Sequence, residues 1–464
     1  MVMWEQPGTL SMTSIGSDTP PRDGAAPAAV GFWQAFRFWL KLGCISFGGP
    51  AGQIAIMHQE LVERRRWISE RRFLHALNYC MVLPGPEAQQ LATYIGWLMH
   101  RTWGGIMAGG LFVLPSLFIL IALSWIYVAF GQMPVVAGLF YGIKPAVTAI
   151  VVQATHRIGS RALRNPLMWA VAVAAFVAIF AADLPFPLIV LAAAVTGFVG
   201  GRIAPEHFKA GGGHGKAGAS WGRALIDDDT PTPPHARFSW RRLLRVGVVG
   251  SLLWLVPMGL LVAFYGLDNT LTRMGGFFTK AALLTFGGAY AVLPYVYQGA
   301  VEHFGWLTPH QMIDGLALGE TTPGPLIMVV SFVGFVGGYS QAVFGPDSLF
   351  LAGAAAAMVV TWFTFLPSFI FILAGGPLIE TTHNDLNFTA PLTAITAAVV
   401  GVILNLALFF GYHVLWPEGF AGGFDGVSAA IALAAAVALF RFRMNVIHVI
   451  AVCAGLGLAL RILL

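Results

Sequence analysis

KLGCISFGGPAGQIAIMHQELVERRRWISERRFLHALNYCMVLPGP, Lys41–Pro86, is the stretch from which this chain is read. It returns as KAALLTFGGAYAVLPYVYQGAVEHFGWLTPHQMIDGLALGETTPGP, Lys280–Pro325. Lys41, Phe47-Gly48-Gly49, Gln59, Glu63, Trp67 and Pro84-Gly85-Pro86 reappear as Lys280, Phe286-Gly287-Gly288, Gln298, Glu302, Trp306 and Pro323-Gly324-Pro325, every pair displaced by 239 positions. Further on, Leu114-Pro115-Ser116 returns as Leu366-Pro367-Ser368 after an insertion. An apolar chain that carries helix breakers at matching places in two copies points to a transporter.

Composition narrows the class. The chain has 464 residues, of which 57% are hydrophobic and 10% charged, with a mean hydropathy of +0.75. Soluble domains carry about 25% charged residues. Runs such as 104–130, 247–266 and 349–375 are long and apolar enough to cross a bilayer. The formal charge of +5 does not indicate nucleic acid, because the basic residues sit in short loops between apolar runs, where they mark the cytoplasmic side. Cys44, Cys80 and Cys453 lie within apolar runs and lack metal-ligand spacing, so neither a disulfide framework nor a zinc site is expected.

The chain divides into four parts. Residues 1–30, rich in Pro, Gly, Ser and Thr, read as a disordered tail. Residues 31–201 form the first membrane repeat, with an element broken at Gly48-Gly49-Pro50, a second broken at Pro84-Gly85-Pro86, two spans and a helical hairpin. Residues 202–245 are polar and read as a flexible cytoplasmic linker. Its Gly215-Lys216 is not a phosphate loop, since Ala210 and Ala217 stand where that motif needs Gly and Ser or Thr. Residues 246–464 open with an unmatched span and then repeat the broken elements at Gly287-Gly288 and Pro323-Gly324-Pro325. The expected fold is an all-α integral membrane protein of two homologous halves with broken, re-entrant helices.

Charge suggests that the halves are inverted. Loop 58–72 carries five arginines, whereas its copy, 299–311, has no Lys or Arg. The positive-inside tendency puts the first loop in the cytoplasm and its copy on the other side. The unmatched span at 246–265 supplies the odd crossing that turns the second copy over, and the count comes to nine full crossings.

Broken helices facing one another offer free N–H groups and partial positive charge at the N-termini of half-helices, which suits an anion. Lys41 and Lys280 precede the two Phe-Gly-Gly breaks, and a charged Lys inside a bilayer calls for compensation by an anion or a carboxylate. The candidate substrate-binding residues are Lys41, Phe47, Gly48, Gly49, Lys280, Phe286, Gly287 and Gly288. Pro50, Pro84, Gly85, Pro86, Pro323, Gly324 and Pro325 are the breaks that line the site. Glu87 and Glu320, beside the two Pro-Gly-Pro turns, are candidate proton carriers or partners of the lysines. Glu63 and Glu302 read as loop contacts, and His58, His75 and His156 as solvated.

At these residues the chain resembles the chromate transporter family in its long, two-domain form. Phe47-Gly48-Gly49-Pro50 with Pro84-Gly85-Pro86, and Phe286-Gly287-Gly288-Ala289-Tyr290 with Thr322-Pro323-Gly324-Pro325, carry the likeness. The resemblance implies an inner-membrane carrier that exports chromate and confers resistance, with sulfate or another tetrahedral oxyanion as the alternative substrate. Protons are the expected coupling ion, the bilayer and a second copy of the chain the expected partners, and no cofactor or nucleic acid is expected. A membrane-embedded enzyme is set aside. A reductase would need GxGxxG after a strand, and a protease HExxH or GxSxG; none of these is expected here.

Overall fold

The computed structural model describes residues 27–47, 49–208, 222–381 and 389–463. The glycine-rich centre of the linker and nearly all of the N-terminal tail lie outside them. The described residues are helical with no strand, apart from one isolated bridge between Ile68 and Ile226.

Half one contains α1 (Phe32–Ile45), α2 (Gly49–His58), α3 (Glu70–Val82), α4 (Glu87–Phe130), α5 (Pro134–Ala162), α6 (Pro166–Ala182) and α7 (Phe186–Ile203). The unmatched helix is α8 (Trp240–Tyr265), which begins before the expected 246. Half two contains α9 (Thr270–Leu283), α10 (Ala289–Tyr297), α11 (Pro309–Thr321), α12 (Val329–Ser340), α13 (Leu349–Thr381), α14 (Thr389–Leu415), α15 (Gly426–Phe440) and α16 (Val446–Leu463). The kink of α4 at His100 and Arg101, where Arg101 has φ +57°, makes it two arms, 87–99 and 102–130. With that division the halves match element for element. Even a π-helical turn, Gln59–Arg64, has its copy at Gln298–His303.

Length decides which helices can cross. The 13 residues of α3 extend about 20 Å at 1.5 Å per residue, short of the ~30 Å hydrocarbon core. Among the described residues seven helices are long and apolar enough to span, and α6, α15 and the segment Leu326–Ser340 that contains α12 are shorter apolar helices. The nine crossings expected from the sequence comprise these seven with α6 and α15. The half-helices survive because protein covers their breaks.

The same face is buried in both copies. Ala35, Phe38, Trp39, Leu42 and Gly43 of α1 are buried, and so are their equivalents Met274, Phe277, Phe278, Ala281 and Ala282 of α9. This i, i+3, i+4, i+7 spacing lays one apolar stripe on a long helix, α4 for α1 and α13 for α9. Pro115, which has no N–H to donate, leaves the Leu111 carbonyl free, and Gly43 closes on that oxygen. The halves interlock: α6 and α7 pack on α14 of the other half, while α15 and α16 pack on α5.

The end of the linker is docked, in contrast to the flexible segment expected. Ile226 bridges to Ile68, Ser69 Oγ donates to Asp228 at 2.6 Å, and Arg72 donates to the Thr230 carbonyl at 2.6 Å. His235 contacts the Trp97 carbonyl through Nε2 at 3.0 Å, and burial, with Arg101 and Arg242 nearby, lowers its pKa. The carbonyl can only accept, so Nε2–H is the donor.

Candidate anion site

Four breaks meet at the centre. The Gly85 N–H donates to the Thr285 carbonyl at 2.8 Å, and the Gly324 N–H donates to the Ser46 carbonyl at 2.8 Å. Gly85 and Gly324 are copies of each other, as are Ser46 and Thr285. Each Pro-Gly-Pro turn thus rests on the opposite half's Phe-Gly-Gly turn. The Gln53 amide strengthens one crossing by donating to the Gly324 carbonyl and, at 3.3 Å, to the Ser46 carbonyl.

The two kinds of break differ in what surrounds them. A Cβ on Gly85 would meet Ser368 Oγ and Gln90 Nε2, the latter at 2.7 Å, and one on Gly324 would meet the Ser116 Cβ at 2.8 Å. Around Gly49 and Gly288 nothing lies within 4 Å of the Cβ position, and at Gly287 the nearest atom is Thr396 Oγ1 at 3.6 Å. The Pro-Gly-Pro turns are packed joints; the Phe-Gly-Gly turns border open space. Phe47, Pro50 and Phe286 are half-buried beside that space. Gly48 lies outside the described residues.

Open space at a helix start is chemically specific. Gly288 caps α10 without a side chain, and among the described residues no group accepts from the Ala289 or Tyr290 N–H. The first N–H groups of a helix have no partner within it and carry partial positive charge. They are free to bind an anion's oxygens.

The structure does not bring the lysines together with the carboxylates. Lys41 and Lys280 are exposed, on equivalent faces of α1 and α9, with no ion pair among the described residues. Glu320, 5% exposed, instead accepts from the Tyr290 hydroxyl, in the first turn of α10. Arg157 of α5 lies close enough to act electrostatically on both. Glu87 is half-buried, without a hydrogen-bond or ion-pair partner among the described residues. An unpaired Lys in lipid costs at least about 2.5–3.5 kcal/mol on insertion scales.

Sequence reading missed two ion pairs on buried carboxylates. Arg72 pairs with Glu380 at 3.4 Å, where Tyr94 and Thr232 also donate to the carboxylate. Lys144 pairs with Asp314 at 3.5 Å, and Tyr127 donates to Asp314 at 2.8 Å. Asp314 is the copy of His75, which contacts the Ile379 carbonyl at 2.9 Å. His58, between Glu63 at 3.2 Å and Glu70 at 2.6 Å, is likewise not solvated. It was also missed that Ser116 and Ser368 are fully buried with no partner for either Oγ among the described residues. A buried, unpaired hydroxyl costs roughly 1–3 kcal/mol. Only the duplication of Leu-Pro-Ser could have flagged them. The letters GxSxG do occur, at 218–222 in the linker, where the serine lies outside the described residues.

The family model described as Chromate transporter matches residues 33–198 and again 272–458. A chromate transport protein of Pseudomonas aeruginosa is 33% identical over 384 residues, covering 82% of this chain and 81% of its own. One from Cupriavidus metallidurans is 27% identical over 411 residues, covering 88% of each. A probable chromate transport protein of Synechococcus elongatus is 27% identical over 389 residues, 82% of this chain and 85% of its own. No solved structure matches.

Proposed function

This chain belongs to the chromate transporter family, and on that premise we propose that it carries chromate out of a bacterial cell across the inner membrane. The observation that carries the reading is the meeting of four duplicated breaks, two of which border open space after a helix that bears a matched Lys, and one of which opens at the uncapped start of α10. Chromate is a tetrahedral dianion. Free N–H groups at the Phe-Gly-Gly turns supply donors to its oxygens, and Lys41 and Lys280 supply charge from the two approaches. Sulfate has the same shape and charge and is the competing substrate.

The halves are inverted in this reading. Loop 58–72 faces the cytoplasm and its copy the outside, with α8 as the odd crossing between them. Export of a dianion from a cell negative inside is electrically downhill by about 4.6 kcal/mol per 100 mV. Chromate resistance follows from that direction. Coupling to protons is assigned to Glu320, whose carboxylate meets Tyr290 in the first turn of α10. Its negative charge opposes an anion there until a proton neutralises it. Glu87, which has no counterpart carboxylate in half two, is the second candidate.

Flux of radiolabelled chromate in proteoliposomes, with and without a pH gradient, tests this. Wild-type protein should give saturable flux that sulfate inhibits. Lys41→Ala and Lys280→Ala should each raise the half-saturating chromate concentration about tenfold, the worth of one charge-assisted hydrogen bond, and Lys→Arg should restore it only in part. Glu320→Gln should abolish the response to the pH gradient. Wild-type-like saturation in both Lys→Ala proteins would remove the lysines from the site, and an unchanged pH response would remove Glu320 from the coupling.

A further inference from the structure

Ser116 and Ser368 are the copies in the repeated Leu-Pro-Ser, and no role in the mechanism so far uses them. Each is fully buried. Ser116 of half one lies against Gly324 of half two, and Ser368 of half two against Gly85 of half one. Those glycines donate to the carbonyls of Ser46 and Thr285, which directly precede Phe47 and Phe286. The two hydroxyls therefore sit on the same ring of breaks as the open Phe-Gly-Gly turns.

Serine and threonine in a helix ordinarily donate back to the carbonyl four residues earlier. This chain follows that habit at Thr93, Thr155, Thr285, Thr364 and Thr396. Ser116 and Ser368, each in a long helix, do not. Ser124, Ser331 and Thr361 also have unpartnered hydroxyls, but their equivalents in the other half are Gly376, Ala92 and Gly109. Among the described residues, only the serine pair keeps a buried, unpartnered hydroxyl in both copies. Packing against glycine asks for a small residue, and alanine would meet that need without burying a polar atom. A hydroxyl kept twice at equivalent, desolvated positions is explained by an acceptor that arrives with the cargo.

We propose that Ser116 and Ser368 are a two-fold pair of substrate-binding residues whose hydroxyls each donate to an oxygen of the tetrahedral oxyanion as it passes the crossing of the four breaks. This rests on the carrier reading above and adds to it the groups that recognise oxygens rather than charge. A tetrahedral oxyanion presents an oxygen acceptor to each hydroxyl.

The test is equilibrium binding of chromate and of sulfate to purified protein, with thermal melting as a control. Ser116→Ala and Ser368→Ala remove an oxygen and introduce no clash, so both should fold with melting temperatures equal to or above wild type. Each should weaken binding of both oxyanions about tenfold or more, the usual worth of a hydrogen bond to a charged group. Ser116→Cys and Ser368→Cys, near-isosteric but weak donors, should show the same loss. Wild-type affinity in the Ala and Cys variants, with wild-type protein binding chromate normally, would overturn this inference and leave the carrier reading intact. Wild-type protein that binds neither anion would overturn both.

Discussion

Gly85→Ala and Gly324→Ala are each expected to destroy the folded carrier. Gly85 has φ +127° and Gly324 φ +101°, a region in which an L side chain costs about 1–2 kcal/mol. The new methyl group would also be driven against Ser368 of the other half and Gln90 of its own half in one case, and against Ser116 of the other half in the other. Overpacking of that kind adds roughly 1–3 kcal/mol. Together these take a large share of the 5–15 kcal/mol that stabilises a typical protein. Both residues also donate the backbone hydrogen bonds that join the halves. Melting followed by size-exclusion in detergent should show aggregated or strongly destabilised protein. Gly49→Ala, with φ +68° and open space at its Cβ, carries the backbone cost alone and should remain folded. Adding Ser116→Gly to Gly324→Ala should recover the packing part of the loss. A Gly324→Ala protein as stable as wild type would mean that the crossing of the breaks is not the joint described here.

Arg72→Ala should destabilise the protein by about 3–5 kcal/mol, the cost of leaving one member of a buried pair without its partner. The side chains of Arg72 and Glu380 are 12% and 5% exposed. Arg72 also holds the Thr230 carbonyl of the linker, so its loss removes one of the contacts that dock the linker on half one while stranding Glu380 of half two. Tyr94 and Thr232 go on donating to Glu380 but cannot neutralise it. Replacing both partners, Arg72→Met with Glu380→Leu, removes the stranded charge and should recover most of the stability. Thermal melting of the two single variants and the double variant measures this. Equal stability in Arg72→Ala and wild type would show that the pair is solvated.

Much of the fold was legible because duplication and hydropathy are properties of the chain in order. The displacement from Lys41 to Lys280 located all four breaks, and the apolar runs gave the crossings. Which faces meet is a different kind of information. Arg72 and Glu380 are 308 positions apart, and nothing local tells an arginine in a basic loop that it will face a carboxylate at the end of α13. Glu320 looked like a partner for Lys280, but in the fold the lysine falls on the exposed face of α9 and Tyr290 takes its place. The linker read as flexible from its Gly and Pro content, yet residues 222–239 carry Ile226, Thr230 and His235, each of which finds a partner on half one. The serine pair was visible only as part of a repeat. Its burial comes from the interlocking of the halves, which no single copy of the motif records.

The central claim is that two copies of one unit, facing opposite ways across the membrane, close on a shared site. Arg64 and His303 are equivalent by the repeat and both are exposed, so Arg64→Cys and His303→Cys place a thiol on the same spot of each copy. Labelling intact cells and inside-out vesicles with a membrane-impermeant maleimide, in a background with Cys44, Cys80 and Cys453 replaced by alanine, reads the side of each. The account predicts labelling of Arg64→Cys only in inside-out vesicles and of His303→Cys only in intact cells; labelling of both positions from the same side would contradict it.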